Sequence, residues 1–146
     1  MPFIVRTLAL AATLLLPLSA AAIDYRSIAE PAILYDSPSD KGKRLFIIAA
    51  GTPVEVVVNL DKWAKVRDAG GGIHWVDRAA LSDKRTVIVR ARATVRQRAA
   101  MDAPPAFEAA KDLVLEVGGA VTDGWLPVRH RDGSTGFIRV TDVWGV

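Results

Sequence analysis

Residues 63–81, WAKVRDAGGGIHWVDRAAL, return at 125–143 as WLPVRHRDGSTGFIRVTDV, and this repeat restricts the fold more than any other property of the chain. A constant shift of 62 pairs Asp61 with Asp123, Trp63 with Trp125, Val66 with Val128 and Arg67 with Arg129. The same shift then matches Gly71 to Gly133, Trp75 to Phe137, Val76 to Ile138 and Leu81 to Val143. Each copy reads as a hairpin: an aromatic with a Val three residues on, a polar turn holding Gly, then an aromatic followed by Val or Ile. The Asp and Gly residues of each turn supply the positive-φ positions that reverse a chain between β-branched and aromatic segments. A period near 60 residues is long for a solenoid and short for a large core, which suggests two small β-barrels in tandem.

The N-terminus differs in kind from the rest. Arg6 precedes an apolar run over residues 8–18 and then Ser19-Ala20-Ala21-Ala22. A charged start, a short apolar core and an Ala-rich exit make a secretory signal peptide, residues 1–22, too short to remain as a membrane span. Removing it leaves 124 of 146 residues and lowers the basic count from 19 to 18 against 16 acidic, a net charge of +2. That charge is no nucleic-acid footprint, and export separates the chain from nucleic acid. There is no cysteine, so no disulfide, thiolate nucleophile, Cys-ligated metal or lipid-bearing Cys. The expected location is periplasmic or secreted. Two domains of this size without disulfides are marginal singly and are expected to pack together.

In order, residues 23–27 read as a lead-in, 32–35 as a first strand, 45–49 as a second and 54–58 as a third. Residues 62–67 and 73–76 follow as fourth and fifth strands, and 79–81 as a helical turn. Residues 82–85 form the junction, dividing barrel 1 (23–84) from barrel 2 (85–146). In the second copy residues 93–96 answer 32–35, and Phe107 answers Ile48. Its third strand, 113–117, is set 59 residues beyond 54–58, which implies three extra residues in the turn at 118–122.

Residues 51–86, GTPVEVVVNLDKWAKVRDAGGGIHWVDRAALSDKRT, carry the elements P-V-E-V, W-x-x-V-R-D, W-V and L-S-D-K-R-T. In these the chain resembles bacterial SH3-like (SH3b) domain proteins, in particular the exported tandem-SH3 proteins of proteobacteria. The resemblance implies an all-β fold of two tandem small SH3-like barrels after the signal peptide. It further implies a non-catalytic binding role, often at the cell wall, with peptidoglycan or an envelope protein or peptide as partner.

Aromatic side chains could line a shallow groove for an extended peptide or glycan. Trp75 and Phe137 precede apolar residues in strands and read as core. Trp63 and Trp125 follow a turn, which leaves more room for exposure, yet core packing remains the favoured reading of both. Tyr35 and Trp144 complete the aromatic candidates. Arg90, Arg92, Arg96 and Arg98 share one parity, so an unbroken strand would show a basic stripe suited to carboxylates. A solvated face flanking the inter-domain junction is the favoured reading, and a turn would scramble the parity. The candidate ligand-binding residues are therefore Tyr35, Trp63, Trp125, Arg96, Arg98 and Trp144. His74 and His130 fall at non-equivalent places and lack a nucleophile or ligand set at a recognised spacing, so neither catalysis, a metal site nor a cofactor is expected.

Overall fold

The computed structural model describes residues 21–146; the expected signal peptide lies outside that range except for Ala21 and Ala22, which have no regular structure. The first half forms β1 (Tyr25–Ile28), β2 (Ala32–Tyr35), β3 (Arg44–Ile48), β4 (Pro53–Asn59), β5 (Trp63–Arg67), β6 (Ile73–Asp77) and β7 (Leu81–Ser82). The second half repeats them as β8 (Thr86–Val89), β9 (Ala93–Arg96), β10 (Pro105–Ala109), β11 (Val114–Val117), β12 (Trp125–Arg129), β13 (Thr135–Arg139) and β14 (Val143–Trp144). Each half makes its own antiparallel sheet, in the spatial orders β3-β2-β6-β5-β4-β1-β7 and β10-β9-β13-β12-β11-β8-β14. One 3₁₀ turn, Arg78–Ala80 or Val140–Asp142, leads into the last strand of each.

Alternation along the strands fills two separate cores. In β5, Ala64 and Val66 point inward at 0% and 2% exposure, and Val76 of β6 joins them with Ile28, Leu34, Ile48 and Val54. The second core repeats this with Val87, Val95, Leu115, Leu126, Val128 and Ile138. The hairpin turns follow the expected chemistry. Gly71 and Gly133 take φ of 89° and 94°, and the Asp68 carboxylate accepts the Gly72 N–H at 2.9 Å.

Three expectations are corrected. Residues 25–28 are a strand and no lead-in: β1 bridges β4 and β7, and only this tertiary pairing draws Tyr25–Ile28 into the sheet. The turn insertion is one residue, because Glu55 faces Arg67 and Glu116 faces Arg129, intervals of 12 and 13. Leu115, not Leu113, therefore answers Val54. For the same reason Phe107 answers Phe46, and Ala109 answers Ile48: Ala32 faces Ile48 as Ala93 faces Ala109.

The barrels touch through close backbone approaches and a few large side chains. The Thr86 hydroxyl donates to the Gly51 carbonyl at 2.7 Å, and the Lys84 ammonium reaches Glu116 at 2.6 Å. Gly145, at φ 110°, passes so close that a Cβ there would stand 3.0 Å from the Thr86 carbonyl oxygen and 3.3 Å from Pro53 Cβ. Tyr25 of barrel 1 packs edge-on against Trp144 of barrel 2 at 5.2 Å, with the Arg85 guanidinium 5.6 Å from the Tyr25 ring.

Candidate functional site: the aromatic face of barrel 1

Because Ala64, Val66 and Val76 turn inward, their strand neighbours Trp63, Lys65 and Trp75 project from the opposite face of the sheet. Lys65 faces Trp75 across β5 and β6, and Trp75 faces Tyr35 across β6 and β2. The Tyr35 ring meets Trp63 edge-on at 5.3 Å and 86°, and the Lys65 ammonium stands 5.7 Å from the Trp75 ring centroid. All three rings are half-buried, so each has a packed side and an open one. The face thus presents flat aromatic surface beside one ammonium and the Asp77 carboxylate, which lies opposite Trp63. Such a surface stacks sugars or peptide planes and hydrogen-bonds their polar rims. Trp75, read from sequence as core, belongs to this face because its strand position is out of phase with Val76.

Barrel 2 builds the same face differently, with Phe137 and Pro127 half-buried beside a hollow of about 290 Å³. Arg96 stands where Tyr35 does, Pro127 where Lys65 does, and Phe137 and Trp125 where Trp75 and Trp63 do. Trp125 is only 5% exposed, with the Arg139 guanidinium 5.3 Å from its ring, so it packs as core and is no ligand-binding residue. Arg96 donates to the Ala103 carbonyl at 2.8 Å and is half-buried. Trp144 is engaged with Tyr25 at the barrel junction. Of the six candidates the structure brings together only Tyr35 and Trp63.

The arginine stripe does not form. The chain bends at residues 90 and 91, between β8 and β9, and again after Arg96, so the shared parity does not put the four side chains on one face. Arg90 donates to the Val143 carbonyl at 3.0 Å, Arg92 approaches Glu108 at 3.7 Å, and Arg98 is exposed beyond the end of β9.

Each barrel sets an imidazole near the equivalent phenylalanine: His74 at 5.3 Å from Phe46, and His130 at 6.0 Å from Phe107. His130 also lies 3.0 Å from Asp132, which accepts the Ser134 N–H at 2.8 Å. In this exposed turn the carboxylate is the hub and both partners bond to it. A nucleophilic relay needs the imidazole between the hydroxyl and the carboxylate, so the cluster is built as a turn cap. The Ser134 backbone N–H, then its side chain and His130, hold the Asp132 carboxyl down to about 2. A lowered folded pKa contributes stability above the ordinary carboxylate value, and that contribution disappears as pH falls toward 2. Carboxyl NMR should place the Asp132 midpoint near 2, and Asp132→Asn should flatten acid unfolding there; a midpoint at the ordinary 3.8 would refute the cap.

A cleft of about 640 Å³ runs between the barrels, with Ala49, Ala50 and Gly51 on one side and Asp112, Leu113 and Val114 on the other. Among the described residues no group of three or more His, Asp or Glu is arranged to hold a metal ion, and no helix is long and apolar enough to cross a membrane.

Two tandem barrels with this repeat are matched by one family model, described as the bacterial SH3 domain, at residues 29–83 and again at 89–145. The chain belongs to the bacterial SH3 domain family. Among solved structures it is similar to NlpC2 from Trichomonas vaginalis, at 13% identity and a TM-score of 0.40, over 86% of this chain and 49% of that one. NlpC1 from the same organism is similar at 14% identity and a TM-score of 0.39, over 90% of this chain and 50% of that one. The SH3 chain spans about half the length of these structures. A search of curated proteins finds no match.

Proposed function

We propose that the chain is a non-catalytic, exported binding module that recognises peptidoglycan, or a peptide at the cell wall, through the aromatic face of the first SH3 barrel. The observation that carries this is the grouping of Tyr35, Trp63 and Trp75 on one outer face with Lys65 beside them, whereas barrel 2 has Arg96 and Pro127 in place of Tyr35 and Lys65 and covers Trp125. Aromatic anchors beside a cation suit extended ligands that carry carboxylates and flat apolar surface. The signal-like residues 1–22 support a periplasmic or secreted location.

Retention of the purified protein on isolated sacculi tests the reading. Substituting Tyr35 and Trp63 by alanine should lower retention by about tenfold or more, as expected for loss of aromatic hot spots, whereas Arg98→Ala should leave it unchanged. Unaltered retention in a correctly folded Tyr35 and Trp63 double variant sinks the assignment of the face. A second reading, an envelope assembly factor without wall affinity, draws on the apolar side chains Phe46 and Ile47, which are 60% and 78% exposed. Full recovery of the unsubstituted protein in the wash favours that reading.

A further inference from the structure

The free sheet edge of barrel 1 is chemically unlike the same edge of barrel 2. Strands β3 and β10 terminate the two sheet orders, and both carry a bulge at the same place in the ladder. On β10 the edge is blunted. Pro105 has no N–H to offer, and the Glu108 carboxylate accepts the Thr94 hydroxyl at 2.8 Å and lies 3.7 Å from Arg92. Proline and charge on a rim strand are devices that stop sheets from pairing edge to edge. On β3 the corresponding positions are Arg44 and Ile47, and Thr94 is answered by Ile33, which faces Ile47 across the ladder. Ile47 and Phe46 are largely exposed, and with Ile33, Arg44 and Leu45 they line a shallow groove of about 310 Å³.

Adjacent strand side chains point to opposite faces, so a ligand on one face covers only one of Phe46 and Ile47. A strand laid beside β3 covers both and satisfies its free backbone groups. We propose that this strand is β3 of a second copy of the chain, paired antiparallel about a two-fold axis beside Phe46 and Ile47. Self-complementarity and charge both select that partner. About such an axis Leu45, Phe46 and Ile47 meet the same apolar residues on both faces, which is the isologous contact a two-fold requires. The basic residues Lys41, Lys43 and Arg44 all precede this triplet, and the stretch after it, Ile48-Ala49-Ala50-Gly51, is uncharged. Antiparallel pairing sets each basic cluster against the partner's uncharged stretch, whereas parallel pairing would stack like charges. The inference stands independently of wall binding.

Sedimentation velocity over a micromolar concentration series tests it, using the unsubstituted protein, Ile47→Glu, Ile47→Lys and an equal mixture of the two, with circular dichroism confirming that each is folded. The unsubstituted protein should dimerise reversibly. Each charged variant should weaken self-association by at least about tenfold, and the mixture should recover a heterodimer through the opposite charges. Arg98→Glu, remote in sequence from β3, should leave dimerisation intact. A protein monomeric throughout the series, a dimer that persists in either charged variant, or a mixture that stays monomeric would each overturn the antiparallel β3 dimer.

Discussion

Leu115→Ala is expected to cost about 2–5 kcal/mol and to unfold barrel 2 ahead of barrel 1. Leu115 is 0% exposed on β11 and packs in the second core with Val87, Val128 and Ile138. Truncation removes its transfer energy and leaves a cavity that the surrounding strands cannot readily collapse. The chain has no cysteine, so no covalent tie replaces the lost packing, and a barrel of this size has little stability to spare. Urea unfolding followed by tryptophan fluorescence separates the halves, since Trp63 and Trp75 report on one barrel and Trp125 and Trp144 on the other. A loss under about 1 kcal/mol would show that the second core can repack around the gap.

Gly136→Ala should be nearly as damaging, about 3 kcal/mol, for the opposite reason. A Cβ at this β13 position would stand 2.6 Å from Val95 Cγ1, 2.7 Å from the Arg96 carbonyl oxygen and 3.2 Å from Ala106 Cβ. Two of those neighbours belong to β9, and the carbonyl oxygen cannot withdraw without moving the strand. Overpacking of this kind typically costs about 1–3 kcal/mol, and a backbone neighbour puts the site at the top of that range. Barrel 1 carries His74 at the equivalent position, its ring turned to Phe46, while barrel 2 sets His130 against the matching Phe107. The two copies thus bring an imidazole to that phenylalanine from different places, β6 in barrel 1 and the turn after β12 in barrel 2. Thermal unfolding of Gly136→Ala with a midpoint equal to that of the unsubstituted protein would refute the close approach.

The candidate face was partly legible. Period-two alternation around Ala64 and Val66 marks Trp63 and Lys65 as outward, and Tyr35 is visible as an aromatic at a strand end. Trp75 was misread because the Val beside it suggested core, although adjacent strand residues face opposite ways. Core packing was legible for Trp125, but its contact with Arg139, which sets it apart from Trp63, was not, since Arg139 lies fourteen residues later and across a hairpin. The arginine stripe failed because parity carries a side-chain direction only through an unbroken strand, and the chain bends twice between Arg90 and Arg98.

By itself the sequence determined the two-fold repetition, the strand-rich class and the hairpin turns, because alternation and the placement of Asp and Gly are local properties of the chain. The packing of the two barrels, the strand character of Tyr25–Ile28 and the difference between a half-buried Trp63 on barrel 1 and a covered Trp125 on barrel 2 were decided only in three dimensions. The physical reason is the same in each case. A strand's register and a ring's exposure depend on which distant residues lie across the ladder, and no periodicity within a segment carries that information.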